Sequence, residues 1–88
     1  MRYSVHDSNA KWCNEQRPMR TRGAALSALR AGQTLILQER VMVVIRPHPV
    51  VGGRPHGYEV VCDADTDPRY YGERWATQAL RYAEDAAR

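Results

Sequence analysis

The chain has 88 residues, 26% of them charged and 43% hydrophobic, and a formal net charge of +3. These values describe one folded domain with a small core, and they exclude a disordered chain. Two cysteines, Cys13 and Cys62, are too few and too far apart for a disulfide framework.

Lys11 is the single lysine among 13 basic residues; the others are arginine. A GC-rich genome favours arginine and alanine by codon choice alone. The functional alternative is an anionic partner, because arginine forms flat bidentate contacts that lysine does not. Phenylalanine is absent, so tyrosine and tryptophan carry the aromatic load. Their polar tips suit positions at a rim or an interface. No apolar run approaches a membrane span, and the N-terminus lacks the apolar stretch of a signal peptide. A cytoplasmic protein with no membrane association is expected.

Along the chain, residues 2–6 alternate, with Tyr3 and Val5 on one side, and predict a short first strand. Asp7-Ser8-Asn9 is a turn signal. From 10 to 20 the pattern is weak: Pro18 argues against a helix, and Trp12 and Met19 are expected to pack somewhere. Thr21 is the expected N-cap of a first helix and Gly32 its C′ residue. Ala25, Leu26 and Leu29 form the apolar stripe between them. So short a helix persists only through tertiary packing.

The runs TLILQ and VMVVIR predict strands at 34–38 and 41–46, joined as a hairpin at Glu39-Arg40. Leu35 and Leu37 oppose Ile36, and Met42 and Val44 oppose Val41, Val43 and Ile45. Both faces are therefore aliphatic, where a sheet with one wet face would alternate. Residues 47–57 hold three Pro, three Gly and two His, which predicts a long binding or mobile loop. Residues 57–63 form the next strand, with Val60 and Val61 on opposite sides. Asp67-Pro68 has the form of a capped helical turn.

A second helix is expected over 73–87. Trp75, Ala76, Ala79, Leu80, Ala83, Ala86 and Ala87 lie along its inner stripe, and Arg74, Gln78, Arg81 and Asp85 lie outside. Glu84 and Arg88 are spaced as an i,i+4 ion pair. The fold class is thus α+β: a three- or four-stranded antiparallel sheet with two helices on one face, in the order (β)-α-β-β-β-α.

The order helix, three antiparallel strands, helix is similar to the double-stranded RNA-binding domain. That family carries a lysine cluster opening its second helix, which clamps phosphates. Here that position reads Tyr71-Gly72-Glu73-Arg74, so no family is assigned on this likeness.

The candidate chemistry is sparse. Asp63-x-Asp65-x-Asp67 opens like an EF-hand loop, but Pro68 stands where the turn glycine belongs and Arg74 where the closing glutamate belongs. His6, His48 and His56 with the two cysteines lack the paired spacing of a zinc site. No metal or other cofactor is expected. A metal-free nuclease would rest on His48 or His56 as general base.

Arg17, Arg20 and Arg22 crowd the start of the first helix, where positive charge opposes the helix dipole; either they are solvated in the loop before the helix or an anion docks there. Arg40, Arg46, Arg54, Arg69 and Arg74 lie near strand ends and loops and would extend the patch. Tyr70 and Tyr71 join them as contact residues, because Arg and Tyr dominate interface hot spots.

The sheet face without helices, carrying Ile36, Met42, Val44 and Val61, requires a cover. Trp12 and Met19, a second copy in a homodimer, or a partner would each supply one. The expected function is a non-enzymatic binding protein that docks onto a larger protein or nucleoprotein complex. A phage or mobile-element inhibitor of a host nucleic-acid-targeting defence complex is one such protein. The alternative is a nucleic-acid-binding module using the arginine patch, followed by the small nuclease.

Overall fold

A computed structural model of the chain describes residues 1–6, 16–52, 54–62 and 67–88. Among the described residues, eight strands and two helices follow in order: β1 (Arg2–His6), β2 (Gln16–Met19), α1 (Arg22–Arg30), β3 (Thr34–Gln38), β4 (Met42–Pro47), β5 (Val50–Val51), β6 (Arg54–Pro55), β7 (Gly57–Val61), β8 (Arg69–Gly72) and α2 (Ala76–Ala87). A 3-10 turn at Glu73–Trp75 leads into α2. Strands β2-β1-β3-β4-β7-β8 form one six-stranded antiparallel sheet, and β5-β6 form a separate small hairpin.

The α+β class holds, but the sheet has six strands rather than three or four. The first addition is β2, which pairs Met19 with Tyr3 and Pro18 with Ser4. A proline lacks the ladder N–H, so it is tolerated in an edge strand such as this. The second is β8, which pairs Tyr71 with Tyr58 and Tyr70 with Glu59. Asp67-Pro68 therefore leads into a strand and not a helical turn: two aromatic residues in a row favour the pleated edge over a helix start. With two strands ahead of α1 and one more before α2, the chain departs from the double-stranded RNA-binding order.

Thr21 caps α1 as expected, its Oγ1 accepting from the Ala24 N–H at 3.1 Å. Gly32 has a φ of 91°, the left-handed conformation that ends a helix. In β3 and β4, Leu35 stands opposite Ile45 and Leu37 opposite Val43. These four residues are buried together with Val5, Val60 and Tyr58 beneath Ala25, Leu29, Ala79, Leu80, Ala83 and Ala87 of the two helices. The Arg40 and Val41 N–H groups of the β3–β4 turn both donate to the Ala87 carbonyl, at 2.8 and 3.2 Å. The end of α2 is thereby tied to the central hairpin.

Three further expectations are corrected. Residues 47–57 carry the β5–β6 hairpin, closed by backbone bonds from His48 to Gly57 and from His56 to Pro49. Trp75 is 53% exposed, because the three-residue period of the 3-10 turn takes it out of phase with the stripe of α2. Glu84 points inward instead of pairing with Arg88, which meets Asp85 at 3.7 Å. Its place follows from spacing: with Leu80, Ala83 and Ala87 it completes an i, i+3, i+4, i+7 stripe.

Gly57 runs close to its neighbours. A Cβ there would stand 3.0 Å from the Tyr71 carbonyl oxygen and 3.3 Å from that of His48. No described helix is long and apolar enough to cross a membrane.

Candidate functional site

Both helices pack on the face of the sheet that carries Leu35, Leu37, Val43 and Ile45. The side chains between those positions point the other way, because the strand period is two. Across five strands the register aligns Pro18, Ser4, Ile36, Val44 and Val61 in one outward row. To one side lie Arg2, Gln38 and Met42. To the other lie Gln16, His6 and Thr34, then Arg46, Glu59 and Tyr70. The row is an apolar band with polar flanks.

Burial along it is graded. Ser4 and Ile36 are nearly covered, Val44 and Val61 are half-buried, Met42 is 47% exposed and Tyr70 is 69% exposed. Met19 does not cover this face: it stands opposite Tyr3 and packs against the core beneath the helices. Trp12, the other expected cover, lies outside the described residues, as do Cys13, Asp63 and Asp65.

The arginines separate into several environments. Arg22 is already paired. Its Nε donates to both Oε1 and Oε2 of Glu84 at 3.0 Å, and the Tyr3 hydroxyl donates to the same carboxylate. The anion that the crowded start of α1 calls for is, at Arg22, an internal one. Arg17 and Arg20 beside it are exposed. Burial, followed by the hydrogen bond and the negative charge of Glu84, pushes the Tyr3 hydroxyl up to about 12.

Arg69 and Tyr71 belong to the helix side of β8. The Arg69 guanidinium lies 4.6 Å from the Tyr82 ring centre and 5.6 Å from that of Tyr71. Such cation–π contacts hold an arginine flat against the surface. Arg17 and Arg69 sit on opposite edge strands of the six-stranded sheet, about 24 Å apart at the usual strand spacing. The expected single patch is thus divided. Arg40 is exposed in the β3–β4 turn, and Arg46 and Tyr70 share the outward face.

Arg54 and Arg74 do meet, in company that the sequence did not indicate. With Arg30, Pro55, Tyr58 and Glu73 they line a cavity of about 360 Å³ on the helix side. Arg30 escaped notice because a basic residue in the last turn of a helix has an ordinary role toward the dipole. His48 and His56 are exposed at the base of the β5–β6 hairpin. Cys62 is a free, partly buried thiol against the core.

Comparison with protein-family models, curated proteins and solved structures finds no match for this chain. The site geometry is therefore the basis of the functional reading.

Proposed function

We propose that this chain is a small binding module without catalytic chemistry, which docks onto a larger protein or nucleoprotein complex through the outward face of its sheet. The observation that carries the reading is the band of Val44 and Val61 running between exposed Met42 and exposed Tyr70 on one face. An apolar centre with Tyr and Arg at its border is the composition of a protein-docking patch. Among the described residues, Arg2 and Arg46 outnumber Glu59 on this face, and the chain carries a net charge of +3. A partner with an apolar surface bordered by carboxylates complements that charge, whereas a second copy would bring like charges together.

Nucleic-acid binding is less well supported. A backbone of phosphates needs a continuous basic track, and Arg22, Arg46 and Arg69 lie in three separate environments. A chain of this size and charge suits a phage or mobile-element inhibitor that blocks a host nucleic-acid-targeting complex by occupying one of its protein surfaces.

The test compares immobilised wild type with Val61→Glu and Met42→Glu in capture from host lysate. The captured species is then purified and its affinity measured for each variant. Loss of a central contact costs about 2 kcal/mol or more, so binding weakens at least about thirtyfold while circular dichroism is unchanged. A partner that binds both variants as tightly as wild type refutes the reading. A wild-type dimer in light scattering that becomes monomeric with Val61→Glu gives the face to a second copy instead.

A further inference from the structure

The arginine cavity lies on the opposite side of the sheet from the docking face, and four elements build it. Arg30 comes from the last turn of α1, Arg54 and Pro55 from β6, Tyr58 from β7, and Glu73 and Arg74 from the 3-10 turn. Arg30 donates to the Thr77 hydroxyl at 3.3 Å. No described carboxylate forms an ion pair with Arg30, Arg54 or Arg74, in contrast to Arg22 and Arg88. Three guanidiniums with uncommitted donors thus share one concavity with a single acid.

We propose that this cavity binds the phosphate group of a small phosphate monoester. The charge fits: three arginines and Glu73 sum to a formal +2, and a monoester phosphate carries about −1.5 to −2 near neutral pH. The number of donors fits as well. A carboxylate is satisfied by one guanidinium fork, while three phosphoryl oxygens can engage forks from several directions.

Tyr58 and Pro55 are the buried residues of the lining. Tyr58 is only 2% exposed, and burial raises its hydroxyl above the usual tyrosine range, with Arg30 opposing and Glu73 reinforcing the shift. The hydroxyl is therefore a neutral group near both charges, able to donate to a phosphoryl oxygen. The volume of about 360 Å³ is at the lower end for small-ligand pockets. A nucleic-acid backbone would need further cations leading away from the cavity. The expected candidates lie elsewhere, Arg46 on the outward face and Arg69 against Tyr82.

Calorimetric titration of the full chain with inorganic phosphate and with a nucleoside monophosphate, at constant ionic strength in chloride, tests the site. One-to-one saturable binding is expected for both. Arg54→Gln and Arg74→Gln should each weaken it about tenfold or more, with unchanged circular dichroism. Arg81→Gln, on the exposed face of α2, should leave it unaltered.

Glu73→Gln should tighten binding, a response that a structural role for the cavity would not produce. Val61→Glu should bind phosphate normally, so failure of the docking reading and failure of this one are separable. Absence of saturation, or wild-type affinity in both Arg54→Gln and Arg74→Gln, overturns the proposal. Equal binding of oligonucleotides with and without a terminal phosphate, tighter than the monophosphate, also overturns it in favour of a nucleic-acid backbone.

Discussion

Replacing Arg22 by Met leaves the Glu84 carboxylate nine-tenths buried, without its ion-pair partner and with the hydrogen bond from the Tyr3 hydroxyl retained. The lost contact is a charge-assisted pair in which one Nε reaches both oxygens at 3.0 Å. Hydrogen bonds to charged groups contribute about 1.5–3 kcal/mol. The Arg22 side chain is 43% exposed, so solvent screening reduces the figure to about 1–2 kcal/mol. In a domain of this size, each kcal/mol shifts Tm by roughly 4–8 °C.

Urea unfolding followed by circular dichroism should therefore give a lower midpoint with an unchanged slope. The companion variant Glu84→Leu with Arg22→Met removes both charges, and it should recover most of the loss, because apolar replacement of a buried pair is often neutral or stabilising. Glu84→Leu alone completes the double-mutant cycle. A coupling energy below about 0.5 kcal/mol would show that the pair is a surface contact of little consequence and that this reasoning is wrong.

Gly57→Ala should destabilise by about 1–3 kcal/mol, since its Cβ would press on two backbone carbonyls that cannot move aside. Gly72→Ala, whose Cβ would make ordinary contact with Trp75 at 3.4 Å, should stay within about 0.5 kcal/mol in the same urea assay. Thr21→Ala should cost about 1 kcal/mol through loss of the cap on α1, read as a lower Tm. The Tyr3 hydroxyl is raised from 10.0 to about 12 in the folded chain, so its stabilising contribution is complete below pH 10 and is lost between pH 10 and 12. Phenolate absorbance should show Tyr3 and Tyr58 titrating above the usual tyrosine range, and Tyr3→Phe should flatten the alkaline fall in stability; an unchanged fall would contradict the assignment.

The core of this fold was legible because burial leaves a residue signature. Leu35, Leu37, Val43 and Ile45 lie in runs too aliphatic for any other element, and Thr21 and Gly32 mark the ends of α1 by their backbone chemistry. The edge strands were not legible, because β2 and β8 are held by backbone pairing with interior strands and their own side chains are mostly polar or aromatic. Glu84 was readable in principle from its spacing with Leu80 and Ala83, but a charged residue is ordinarily assigned to solvent. The meeting of Arg30, Arg54 and Arg74 had no sequence signal at all, since it depends on where three distant elements end.

The sheet order has a kinetic consequence. β1 pairs on both sides, with β2 and with β3, although α1 and β2 separate it from β3 in the chain. The contacts β3–β4, β4–β7 and β7–β8 join strands that follow one another within the main sheet, and each closes a modest loop. The β1–β3 seam is the costly closure, because loop entropy must be spent before its bonds form. Folding should therefore begin in the β3–β4–β7 meander, and the β1–β2 hairpin should dock on β3 after it. Substitutions at Val5 would then mainly accelerate unfolding, whereas substitutions at Val43 or Ile45 would slow folding.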